Sequence, residues 1–134
     1  MQKDDKLMVD ELTATREDET IAVIEQFNEA WNARDLDAAM SLMTEDCVFE
    51  NTAPAPDGER FLGQAAVRAV WESVFQTPGM RFETEEVFAC GQRVTALWRY
   101  SWLNADASPG HIRGVDVFRM RDGKIAEKLS YVKG

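Results

Sequence analysis

The residue of this chain that most invites chemistry is Asp116. It lies in the run Val115-Asp116-Val117-Phe118, where a carboxylate is costly to bury unless a partner or a ligand uses it. Side chains alternate faces along a strand, so an inward Asp116 carries Ile112, Gly114, Phe118 and Met120 inward with it. Beside a cation such a carboxylate is ionised and can act as a base; alone in an apolar hollow it keeps its proton and donates. His111 opens the same stretch on the opposite parity and leaves the pocket, unless a bulge at residues 108–110 turns it back as a second acid/base group. Ser101 and Ser130 can hydrogen-bond a ligand, but the sequence shows no activating base for either, so nucleophilic catalysis is not expected. Cys47 and Cys90 read as small core residues. Glu83, Glu85 and Glu86 read as a solvated acidic face, and a single histidine does not favour a histidine-rich metal centre or a Ser-His-Asp triad. No metal and no cofactor is expected.

These side chains need elements to hold them. Residues 1–14 carry no clear period and read as a flexible tail, so one domain is expected over 15–134. A first helix is expected from Thr15, where Asp18 completes a T-x-x-D capping pattern; Ile21, Ile24, Phe27 and Trp31 share one of its faces. Asn32-Ala33-Arg34 breaks it, Asp35 caps a short second helix, and Leu36, Ala39, Met40 and Met43 form the buried stripe. Residues 47–51 read as a short strand and 52–60, with Pro54, Pro56 and Asp57-Gly58, as a loop. A third helix follows Gly63, carries Val67, Val70, Trp71, Val74 and Phe75 on one side, and stops at Pro78-Gly79. Four strands then run over 81–90, 93–103, 111–121 and 124–132, with Gly91 and Asp122-Gly123 as turns. Helices segregated on one side of a largely antiparallel sheet make an α+β domain.

The composition narrows the partners. In 134 residues, 45% hydrophobic and 29% charged, 24 acidic groups against 15 basic ones leave a net charge of −9. That field repels phosphate backbones and anionic lipid, so neither nucleic acid nor membrane is expected as a partner. No apolar run is long enough to span a bilayer and no secretory signal is visible, and two free thiols suit a cytoplasmic setting.

The stretch from Phe27 to Asp37, FNEAWNARDLD, the segment Met43-Thr44-Glu45-Asp46 leading into a strand, and the closing GVDVFRMRDGKI from Gly114 to Ile125 resemble the nuclear transport factor 2-like superfamily, the last one especially its SnoaL-like polyketide cyclase branch. The resemblance covers residues 15–134. It implies a cone-shaped, curved mixed or antiparallel sheet with three N-terminal helices enclosing one pocket, a cystatin-like roll, usually dimeric through the sheet's outer face. It also implies that Leu97, Arg99, Ser101 and Leu103 point inward and Trp98, Tyr100 and Trp102 outward. With a regular hairpin over 104–110, Arg99 would then face Asp116 as a catalytic charge pair, or as a pair that merely satisfies itself and fixes register. Trp98, Tyr100 and Trp102, with Leu129 and Tyr131, would form an apolar outer patch suited to a homodimer interface. The opposite parity would put the aromatics in the pocket and Arg99 toward solvent or a partner.

Among enzymes of this superfamily, Asp116 is similar in place to the ketosteroid isomerase acid that donates to the enolate oxygen. That enzyme's base falls on Asn51 and its oxyanion tyrosine on Phe27, so steroid isomerisation is disfavoured. For the epoxide hydrolase, Arg99 and Asn51 match, but a tyrosine falls on Phe49 and both catalytic aspartates fall on serines, Ser101 and Ser130. A SnoaL-type cyclase relies on one aspartate in an apolar pocket, which Asp116 can supply. The resulting expectation is a small-molecule pocket walled by Phe27, Trp31, Phe49, Val67, Trp71, Leu97 and Phe118. In it Arg99, Asn51, Ser101 and Ser130 orient the ligand, and Asp116 moves a proton on a small apolar ring-containing molecule. The alternative is a non-catalytic binding or dimerisation module.

Overall fold

The computed structural model describes the backbone of residues 3–133 and the side chains of residues 16–133. Its elements are α1 (Lys3–Asn32), α2 (Leu36–Ser41), β1 (Met43–Glu50), β2 (Arg60–Leu62), α3 (Gln64–Val74), β3 (Arg81–Cys90), β4 (Arg93–Leu103), β5 (Pro109–Arg121) and β6 (Lys124–Val132). The six strands make one curved, unclosed mixed sheet in the order β2-β1-β6-β5-β4-β3. β1 and β6 run parallel and every other neighbouring pair is antiparallel. The α+β architecture expected from the sequence is the one observed.

Local chemistry explains most boundaries. The backbone of α1 begins upstream of Thr15, because no glycine or proline interrupts residues 3–32. The side chains of the segment expected to be a tail, residues 1–14, lie outside the described ones. α1 ends where Arg34 turns left-handed at φ 57°, and Asp35 caps α2 by accepting from the Ala38 N–H at 3.1 Å. The Arg34 guanidinium then donates to the carbonyls of Phe75 (3.0 Å) and Thr77 (2.9 Å), tying this corner to the end of α3. β1 starts at Met43 rather than residue 47, and Arg60–Leu62, at the end of the expected loop and beyond it, pairs with β1. The core lies between the helices and the inner sheet face, with Ile24, Phe27, Trp71, Val94, Phe118 and Ile125 at its centre.

The β4–β5 register overturns one expectation. Arg99 stands opposite Arg113, and Asp116 stands opposite Ala96 and Ser130. The expected Arg99–Asp116 pairing is three residues out of register, and an odd slip turns every side chain of a strand over. Trp98, Tyr100 and Trp102 therefore face the helices, while Leu97, Arg99, Ser101 and Leu103 face outward, the opposite parity of those weighed above. Glycines show why. Trp98 pairs with Gly114 and Trp102 with Gly110; a Cβ on Gly114 would come within 2.7 Å of the Trp98 ring and 2.1 Å of the Tyr131 carbonyl, and one on Gly110 within 2.6 Å of the Trp102 ring. Each indole lies over a residue with no side chain, a packing that pins register.

Arg121 of β5 grips Asp46 of β1 through both guanidinium nitrogens. This hydrogen bond, helped by Thr44, lowers the Asp46 carboxyl from 3.8 to about 2. A depressed carboxyl adds stability above its ordinary value and loses it as pH falls through the folded one. Melting curves of wild type and Asp46→Asn should thus differ above about pH 4 and converge as pH approaches 2. Equal offsets at both ends would contradict the assignment. The pair is exposed, so the effect is small.

Candidate active site

Aromatic residues from five elements line a cavity of about 490 Å³ between the helices and the inner sheet face. Trp31 comes from α1, Phe49 from β1, Trp71 from α3, and Phe82, Trp98, Tyr100 and Trp102 from β3 and β4. Trp71 is the hub, with ring centroids 4.8 Å from Trp31, 5.2 Å from Phe49 and 5.5 Å from Phe27, all edge to face. The indole N–H groups of Trp31, Trp71 and Trp98 are buried without a protein acceptor, so these rings act through their faces and edges.

One end of this apolar space is polar. Lys128 of β6 lines it and is 4% exposed. Its ammonium lies 4.8 Å from the Phe49 ring, 5.4 Å from Trp31 and 5.9 Å from Trp71, a cation held against three π faces. Lys128 Nζ donates to Ser130 Oγ at 3.0 Å, and Ser130 Oγ donates to Asp116 Oδ1 at 2.7 Å. Asp116 Oδ2 lies 3.4 Å from Lys128 Nζ. Asp116 is 3% exposed and sits behind Ser130 and Lys128: those two line the cavity, and Asp116 does not. Tyr100 faces the same space, its phenol pushed up by burial and pulled back partly by a hydrogen bond with Thr77.

The expected site residues divide clearly. Trp31, Phe49, Asn51, Trp71 and Ser130 line the cavity. Phe27, Val67 and Phe118 are buried in the core beneath it. Asn51 has its amide oxygen committed, accepting from the Glu59 N–H at 2.7 Å and so closing the 51–60 loop at the mouth. Leu97 and Ser101 stand on the outer face, as does Arg99, which is exposed; the Arg99 role in the pocket falls with the register. His111 is exposed on that face opposite Ser101, as its parity required. Of the aromatics expected outside, only Tyr131 is there, 49% exposed.

Lys128 is the residue the sequence reasoning passed over. The signal was present: Ser130 was placed inward, and alternation along β6 puts Lys128 on the same side. Among the described residues no cluster of His, Cys, Asp and Glu could hold a metal ion, and no helix is long and apolar enough to cross a membrane.

Comparison with known proteins agrees with this architecture. A solved NTF2-like protein of unknown function from Mesorhizobium loti is 41% identical over 89% of this chain and 94% of its own, with a TM-score of 0.77. An LEH-like epoxide hydrolase from Mycobacterium tuberculosis superimposes with a TM-score of 0.75 at 19% identity, over 88% of this chain and 85% of that one. A second M. tuberculosis protein, solved in complex with estradiol-17β-hemisuccinate, gives 0.72 at 19% identity over 84% and 92%. At those identities the last two share the fold. Among curated proteins no significant match is found. The model of the SnoaL-like domain matches residues 24–128, and with it and the M. loti relative the chain belongs to the SnoaL-like family of the nuclear transport factor 2-like superfamily.

Proposed function

We propose that this protein binds a small, mostly apolar, ring-containing molecule in the aromatic cavity and moves a proton on it, with Asp116 as the proton-holding group. The observation that carries the reading is the chain Lys128–Ser130–Asp116 at the end of that cavity. A buried carboxylate is reached from the ligand space through one hydroxyl, beside one fixed cation. Face-presenting rings suit a flat apolar ligand, and the steroid ester bound by the M. tuberculosis relative is a ligand of that kind. Ser130 and Lys128 touch the ligand and Asp116 acts through them, which revises the direct contact expected from the sequence.

Two copies pair through the outer sheet face in a cytoplasmic setting where both cysteines stay free thiols. On that face Tyr131 and Phe88 are exposed and Leu97 and Val115 are half-buried, an apolar patch that association would cover. The second reading, passive binding, is favoured by one observation: Asp116 already has two partners.

Native mass spectrometry of freshly purified protein tests both halves. A two-chain mass, with a small-molecule adduct or a melting temperature raised by bicyclic aromatics, is expected. A one-chain mass would end the dimer, and indifference to every flat ring compound would end the pocket reading.

A further inference from the structure

Resting on that reading of the cavity, we propose a ligand class for it: a planar ring carrying one acid group of carboxylic strength, typified by the enol of a cyclic 1,3-dicarbonyl. It binds as the anion, with its oxygen on Lys128 Nζ, while Asp116 becomes protonated.

The buried cation decides which ligand fits. Around Lys128 Nζ, α1, β1 and α3 present the rings of Trp31, Phe49 and Trp71, and β5 and β6 present Asp116 and Ser130. Lys128 is the one charged side chain among the described cavity-lining residues, and Tyr100 on β4 is the other ionisable one. Of its three N–H groups, the ammonium spends one in a good hydrogen bond, to Ser130 at 3.0 Å. Asp116 at 3.4 Å is a looser contact, so a nearer oxygen has a donor to meet.

One fixed cation in apolar surroundings supports one anion. A second would face repulsion from Asp116 and an uncompensated desolvation cost. An acidic ligand therefore has to neutralise Asp116 as it binds, and the structure holds the path. Ser130 faces the cavity and already donates to Asp116 Oδ1 at 2.7 Å. The ligand's enol O–H proton passes to Ser130 Oγ as the Ser130 hydroxyl proton passes to Asp116 Oδ1. One O–H bond breaks and one forms at each step, and the site keeps its total charge: ammonium, carboxylate and neutral enol become ammonium, carboxylic acid and enolate.

Such an exchange is nearly even only when the two acids are alike in strength. A simple phenol, a far weaker acid than a carboxyl, keeps its proton, whereas a vinylogous acid is of carboxylic strength. Flatness selects the ring form, because the oxygen must reach Nζ between aromatic faces.

The test uses 4-hydroxycoumarin, a bicyclic vinylogous acid, and coumarin, its neutral frame, titrated calorimetrically into the intact protein in buffers of different ionisation enthalpy. At the acid end of the titration 4-hydroxycoumarin should bind more tightly than coumarin, the gain of a hydrogen bond to a charged group, and that lead should shrink as pH rises. Because the free acid is already ionised, binding should take up one proton, and affinity should rise about tenfold for each unit of pH lowered from 8 to 6. The bound compound should keep the anion's absorption spectrum. In Asp116→Asn the uptake and the pH slope should vanish. The double variant Lys128→Met/Asp116→Asn, free of any unpaired buried ion, should bind the two compounds with equal affinity, its preference for the acid lost.

Binding of both compounds with equal affinity and no proton uptake overturns the proposal and leaves the cavity reading intact. Uptake that persists in Asp116→Asn, or a neutral spectrum for the bound acid, also overturns it, since the proton then rides on the ligand. Failure of both compounds to bind counts against the cavity itself.

Discussion

Lys128→Met should lower the stability of the folded protein by about 3–5 kcal/mol, the range found when one partner of a buried ion pair is removed. Methionine replaces the length of the side chain but not its charge. Asp116, 3% exposed, would keep the Ser130 hydrogen bond and lose the only cation near it among the described residues. Urea unfolding measures the effect, and melting should fall by roughly 10 °C or more. A loss under about 1 kcal/mol would show that Asp116 is not held as an ion by this lysine.

The double variant Lys128→Met/Asp116→Leu separates stability from use. Replacing both members of a buried pair with apolar groups is often neutral or stabilising, because neither desolvation cost remains. If the double variant is at least as stable as wild type, the pair is not there to hold the fold. It then needs a ligand or a reaction to account for it, as strained or costly groups at functional sites usually do. Near-complete recovery is the expected result.

How much of this was legible beforehand follows from which signals are local. The Asp35 cap, the Gly63 helix start, the Val67-to-Phe75 stripe and the Asp122-Gly123 turn are decided within a few residues, and each was read from the sequence as it occurs. Strand faces are decided by register, which depends on where two distant strands meet. Asp116 was placed inward because its own strand is apolar around it. The faces of β4 rest on the family resemblance, which implies the reverse of the observed parity; the parity observed is the alternative. A better register signal was available: tryptophans four apart at 98 and 102 and glycines four apart at 110 and 114 fit each other in one alignment. That alignment excludes an Arg99–Asp116 pair. It sends the guanidinium outward and leaves the carboxylate to find its cation on the other neighbouring strand. Lys128 draws no notice in the sequence, because charge in a terminal strand is usually exposed. Its burial follows from the helices and β1 folding three rings over it, and that is a tertiary event no window of β6 contains.

Trp71→Ala is expected to be comparably severe, about 3–5 kcal/mol, for a different reason. Trp71 is fully buried and its ring meets Phe27, Trp31 and Phe49 at once, so truncation opens a void that three other rings frame and cannot easily close. The same ring is one of the three faces over Lys128. Core and site are one structure here, and the variant should show both losses: a lower urea midpoint, and weaker binding of flat ring compounds. Trp71→Phe discriminates between them. A phenyl ring restores most of the volume and still presents a π face, so it should recover most of the stability and much of the binding. Recovery of stability without binding would mean that the ligand depends on the breadth of the indole itself, and would make α3 the element that sets the shape of the molecule this cavity accepts.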